Sequence, residues 1–105
     1  MRERPEVAVD ELDLASVMHA LADPSRLAMV AALDESPEVQ CTVLGEAAGT
    51  AKSTTSHHLA VLRDSGLVRA RHEGQRKFIA LRRQELDQKF PGLLDAVIKG
   101  MDNSA

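Results

Sequence analysis

Three glycines, Gly49, Gly66 and Gly74, cut the stretch from Thr42 to Leu81 into four short segments whose apolar residues repeat first at helical and then at strand spacing. Thr42 to Ala48 reads as a short helix that Gly49 ends by taking the left-handed conformation. After a tight turn, a second helix runs from about Lys52 to Ser65 with Leu59, Val61 and Leu62 as its apolar anchors, and Gly66 stops it. Leu67 to Arg71 and Arg76 to Leu81 alternate as strands rich in Val, Ile and Phe. His72, Glu73, Gly74 and Gln75 join them, with Gly74 suited to the positive φ of a hairpin turn.

The flanks supply the remaining helices. Leu14, Val17, Met18 and Leu21 repeat at the spacing of an amphipathic helix that stops near Asp23. Asp23 then caps the next helix, and Pro24 fits its first position because its φ is already set and it lacks an N–H that would go unpaired. That helix passes through Leu27, Val30, Ala31 and Leu33 to about Asp34, and Ser36 with Pro37 marks a loop. A last helical stripe comprises Leu86, Phe90, Leu93, Leu94, Val97, Ile98 and Met101, with Pro91 placed to kink or divide it. Residues 1–11 are polar and acidic and are expected to form a flexible arm, leaving 12–103 as one folded domain. The fold class expected is mostly α with a small β-hairpin: four helices, two strands, then a fifth helix.

Composition narrows the function. Among 105 residues there is no Trp, no Tyr and only Phe78 and Phe90, so the core must be aliphatic and a base-stacking platform for single strands is excluded. Cys41 is the single cysteine, which rules out an intrachain disulfide and an all-cysteine zinc site within one chain. The longest apolar run is far short of the roughly 18 residues that a membrane span needs, and no signal peptide opens the chain, so a cytoplasmic location without membrane contact is expected. The net charge of −3 conceals an asymmetry: residues 1–51 carry −7, residues 52–83 carry +6 and residues 84–105 carry −2. Only the middle segment can cradle a polyanion.

Two short helices joined by a tight turn and followed by a basic hairpin form the winged helix-turn-helix arrangement, whose second helix enters the major groove of duplex DNA. Lys52, Ser53, Thr54, Ser56 and His57 are donors on the first turns of that helix, where the macrodipole also favours phosphate. Thr55, Leu59 and Leu62 share its packing face, while Ser53, His57 and Ala60 lie opposite. Arg63 completes the helix's share of the expected interface, and Arg71, Gln75, Arg76 and Lys77 supply the wing. His58 lies nearer the packing side, and Arg26 suits an ion pair as well as it suits a phosphate.

The segments ALADPSRLAMVAAL from Ala20, LGEAAGTAKSTTSHHLAVLRDSGLV from Leu44 and ARHEGQRKFIAL from Ala70 resemble the ArsR/SmtB family of bacterial winged-helix transcriptional repressors. The likeness covers roughly residues 14–82. It implies a homodimer that pairs through its first and last helices, binds an inverted repeat in a promoter and lets go when an inducer binds. The apolar stripes support pairing on their own, because burying Leu14, Val17, Met18 and Leu21 against Phe90, Leu94, Val97, Ile98 and Met101 across a two-fold axis would cover both.

Two metal sites known in the family do not carry over. The cysteine positions of a Cys-Val-Cys site fall on Gln40 and Thr42, with Cys41 between them. The ligands of a last-helix site, Asp and His followed by His and Glu, fall on Arg83, Glu85, Ala96 and Lys99. No metal or other cofactor is therefore expected, and any inducer is of unidentified chemistry. Catalysis is not expected either: Ser56 beside His57 lacks a strained nucleophile turn, and the chain has no phosphate loop. The competing readings are a winged-helix module that binds protein instead of DNA, and a repressor with a non-standard metal or thiol site.

Overall fold

Two aspartates set the first helices. In the computed structural model, which describes residues 6–103, the side chain of Asp13 accepts hydrogen bonds from the backbone N–H and the hydroxyl of Ser16, starting α1 (Leu14–Leu21). Asp23 accepts from the backbone N–H of Arg26 and starts α2 (Pro24–Asp34). These backbone hydrogen bonds hold both carboxyls below the usual aspartate range. Pro24 stands at the head of α2, as expected.

A two-residue strand, β1 (Val39–Gln40), leads directly into α3 (Cys41–Ala48), and α4 (Lys52–Asp64) follows the turn. Gly49 closes α3 with φ 68°, its N–H donating to the carbonyls of Glu46 and Gly45. Gly66, with φ 90°, turns the chain out of α4 where a Cβ would come within 2.2 Å of a Leu12 methyl, so space as well as backbone conformation requires glycine.

The hairpin β2 (Val68–Glu73) and β3 (Arg76–Leu81) pairs antiparallel in the register Arg71↔Phe78 and Glu73↔Arg76. Its loop is tighter than the four-residue connection expected, since His72 and Glu73 continue the ladder and only Gly74 and Gln75 turn. β1 pairs with β3, Val39 opposite Ile79, which gives a three-stranded sheet ordered β1-β3-β2. The third strand was not expected; its two residues are too few to show a period.

The last stripe is divided. After α5 (Arg83–Lys89), Phe90 leaves the helical region, Pro91 has no N–H to continue it, Gly92 takes φ 83°, and α6 (Leu93–Asn103) begins.

The core is aliphatic: Val17 and Leu21 of α1, Met29, Val30 and Leu33 of α2, Leu44 of α3, Leu62 of α4, Ile79 of the sheet, and Leu86 and Leu94 beyond it are all buried. Val17, Leu21 and Leu94 were expected at a dimer interface and are instead spent inside the chain's own core. α5 packs against α6 and residues Val9–Glu11, and Leu93 and Val97 of α6 line a groove with Met18, Leu21 and Leu27 of α1 and α2. The expected arm is also partly folded. Val9–Glu11 form a 3-10 helix, Val7 and Val9 pack against the core, and Leu12 is buried. Residues 1–5 of that arm lie outside the described residues.

Candidate nucleic-acid interface

The docking of α4 on α3 decides which of its sides remains free. Gly45 faces Thr55 so closely that a Cβ there would sit 2.6 Å from the threonine hydroxyl. Thr55 is only 6% exposed, and its hydroxyl donates to the carbonyl of Ala51 at 2.9 Å and shares a 2.7 Å hydrogen bond with the hydroxyl of Thr50. With Thr55, Leu59 and Leu62 turned inward, Ser53, Ser56, His57 and Ala60 form an exposed edge of small or polar side chains. Ser53, His57 and Ala60 are the positions the helical spacing placed opposite the packing face, and Ser56 joins them. Gly45 and Thr50 were missed, since a small residue four positions before a helix-ending glycine has many explanations in a bare sequence.

The N-terminus of α4 leaves its first N–H groups without an acceptor in the helix. Ala51 offers no side-chain cap, and the first intrahelical bond runs from the N–H of Thr55 to the carbonyl of Ala51. The N–H groups of Lys52, Ser53 and Thr54 therefore precede the hydrogen-bonded ladder, at the positive end of a thirteen-residue helix. All three residues are exposed.

The wing reaches the same side. Lys77 of β3 lines one hollow with Cys41, Lys52 and Ser56, about 240 Å³ in volume, and a smaller one with Ser56, Ala60 and Arg63. It thus stands against the exposed edge of α4. Gln75 and Arg76 are exposed at the hairpin tip. Among the described residues no ion pair engages Lys52, Arg76 or Lys77. Arg63 is half-buried and engaged within the chain.

Arg71 departs from the expectation. Its guanidinium donates to both carboxylate oxygens of Glu38, at 2.7 and 2.8 Å, and to Glu73 at 2.8 Å, while lying 4.6 Å from the centre of the Phe78 ring. The Arg71 hydrogen bonds hold the Glu38 carboxyl below the usual range, and Glu38 and Glu73 raise the guanidinium further above its ordinary value. Arg71 clamps the hairpin to the segment before β1; the cause is β1 itself, which brings Glu38 alongside. His58 and Arg26 are likewise internal, buried against each other behind α4.

Neither family metal position gathers ligands. Among the described residues no group of three or more His, Cys, Asp and Glu side chains converges. Arg83 stands in place of the first last-helix ligand and donates to Asp34 at 2.8 Å, to Asp87 at 3.0 Å and to Asp95. None of the helices among the described residues is long and apolar enough to cross a membrane.

Comparison with known proteins agrees with this geometry. The sequence matches the family model of a helix-turn-helix domain over residues 21–71. It is 34% identical over 89 residues to YceK of Bacillus subtilis, an uncharacterized HTH-type transcriptional regulator, covering 84% of this chain and 89% of that protein. It is 36% identical over 80 residues to the transcriptional repressor SmtB homolog of Synechocystis, covering 74% of this chain and 60% of the relative. Among solved structures, the homodimeric winged helix-turn-helix domain of Mb0332 from Mycobacterium bovis, a possible ArsR-family regulator, superposes with a TM-score of 0.71 at 28% identity, over 87% of this chain and 80% of that one. With the exposed edge of α4, its uncapped N-terminus and the cationic wing on one side, these likenesses place the chain in the ArsR/SmtB family of winged helix-turn-helix, DNA-binding transcriptional regulators.

Proposed function

We propose that two copies of this chain form a repressor that binds an inverted repeat in a promoter and blocks transcription until an inducer releases it. The observation that carries the reading is that Lys52 and Lys77 flank the edge of small side chains on α4 and Arg76 stands exposed at the hairpin tip, none of the three engaged by an ion pair among the described residues. Ser53, Ser56 and Ala60 let that helix approach the floor of the major groove, and His57 and Thr54 offer hydrogen bonds to base edges or phosphates. Gln75 and Arg76 follow the backbone at the neighbouring minor groove.

Pairing is supported by exposed apolar surface. Leu14 and Met18 are 45% and 54% exposed. Met18 also lines an apolar groove of about 210 Å³ with Leu27, Leu93 and Val97. Phe90, Ile98 and Met101 are half-buried on the following segments. A two-fold axis through this face would cover it and present two reading helices to a palindrome. The inducer acts through no metal at the family's usual positions, which hold Gln40, Thr42, Arg83, Glu85, Ala96 and Lys99. It binds the DNA-competent form less well than the released form.

Selection of bound genomic fragments, followed by footprinting and sedimentation of the complex, tests this. A protected inverted repeat with two chains bound supports the reading. Binding that ignores sequence and salt, or capture of a protein with no DNA, rejects it.

A further inference from the structure

Arg26 and His58 are polar side chains, each 8% exposed, that docking onto DNA leaves unused. The guanidinium of Arg26 spans two helices. Its Nε donates to the carbonyl of Ala20 at 2.7 Å and its Nη2 to that of His19 at 3.4 Å, both in the last turn of α1. Its Nη1 lies 3.1 Å from Nδ1 of His58, in the middle of α4. Arginine has donors only, so Nδ1 must be the acceptor and the proton of the neutral ring sits on Nε2. That nitrogen faces the Asp23 carboxylate at 3.9 Å.

We infer that Arg26 and His58 form a positioning strut, through which the last turn of α1 holds α4 in the orientation its exposed edge needs to enter the groove. Neither residue touches DNA, and the inference rests on the docking role given to α4 above. The strut gives the dimer face a route to the DNA face: α1 carries Leu14 and Met18 outward and, through one guanidinium, fixes His58, next to His57.

The groups facing the ring are Arg26 of α2, Asp23 at the cap of α2 and, on α4 itself, the His57 ring with its centroid 5.7 Å away; α1 presents the carbonyls of His19 and Ala20 to the guanidinium. Replacing the ring's acceptor by an apolar group would leave Nη1 of Arg26 a buried donor without that partner.

The test measures the anisotropy of a fluorescent duplex, selected from a random pool by the unaltered protein, at constant pH and ionic strength. His58→Leu should weaken binding about tenfold, with the thermal midpoint recorded beside it. His58→Asn, whose amide oxygen stands near the place of Nδ1, should bind within about threefold of the unaltered protein. If the leucine variant fails to fold, the asparagine variant and the ring's nitrogen NMR shifts still decide. A loss of about tenfold with asparagine as well, or affinities indifferent to both substitutions, would overturn the strut. So would nitrogen NMR shifts placing the neutral ring's proton on Nδ1. Failure of the unaltered protein to bind any duplex in a salt-dependent way would reject the docking role itself, and the strut with it.

Discussion

Along the edge of α4 and at the tip of the wing, Lys52, Arg76 and Lys77 hold cations that no ion pair engages among the described residues; at the foot of the wing, Arg69, Arg71, Arg82 and Arg83 are all bound to carboxylates. Arg69 pairs with Glu85 and lies 3.7 Å from Glu6, and Arg82 reaches Glu85 at 3.2 Å. Apart from Glu73 of the hairpin itself, these acids come from the two negative ends of the sequence. A chain of net charge −3 can thus keep unpaired cations on one side, because several of its acids are paired with the arginines at the foot. In the proposed reading, spare charge and not total charge marks the side that meets DNA.

Removing the spare cations should have the largest effect. The triple variant Lys52→Ala, Arg76→Ala, Lys77→Ala is expected to bind duplex about a hundredfold more weakly at low salt, measured by gel shift, with an unchanged thermal midpoint. Gly45→Ala attacks the packing that turns the free edge outward. Its Cβ would meet a buried, hydrogen-bonded hydroxyl, so a stability loss of about 2 kcal/mol by denaturant titration is expected, and a loss near zero would show that α3 and α4 separate easily. Arg83→Ala removes the cation that Asp34, Asp87 and Asp95 share. Stability should fall by about 1 kcal/mol while affinity for DNA stays within about twofold.

Acid should undo the foot more gently. Burial pushes the Glu85 carboxyl up, but the hydrogen bond from Arg82 and the charges of Arg69 and Arg82 outweigh it and leave the group below its ordinary value. The Arg71 hydrogen bond does the same for Glu38. A carboxyl whose folded value is depressed stabilises fully above its unfolded value, and that contribution is lost as pH falls through the folded one. The thermal midpoint should therefore hold down to about pH 5 and decline below about pH 4. A midpoint that rose on acidification would contradict the pairing at the foot.

Much of the architecture was legible because its signals are local. Asp23 with Pro24 marked the start of α2, and Gly49 and Gly66 marked the ends of α3 and α4. The inward turn of Thr55, Leu59 and Leu62 followed from the helical period. What stayed hidden depends on partners distant in sequence. Arg71 looked like a wing cation until β1 brought Glu38 beside it, and Arg26 stayed ambiguous until the carbonyls of α1 and the ring of His58 closed around it. Leu94 reads as a dimer-stripe residue in a segment that Pro91 is placed to kink or divide, and with Gly92 completing the break it lies in the core.

The most direct test compares salt dependence between the two groups of cations. The logarithm of DNA affinity is measured against the logarithm of salt for the Lys52, Arg76, Lys77 alanine triple and for an Arg69, Arg71, Arg83 alanine triple. The first is expected to flatten the slope by about one unit per residue removed in each chain, and the second to leave it parallel to that of the unaltered protein. Equal flattening by both triples, or flattening by the second alone, would contradict the claim that the spare cations are the ones that meet DNA.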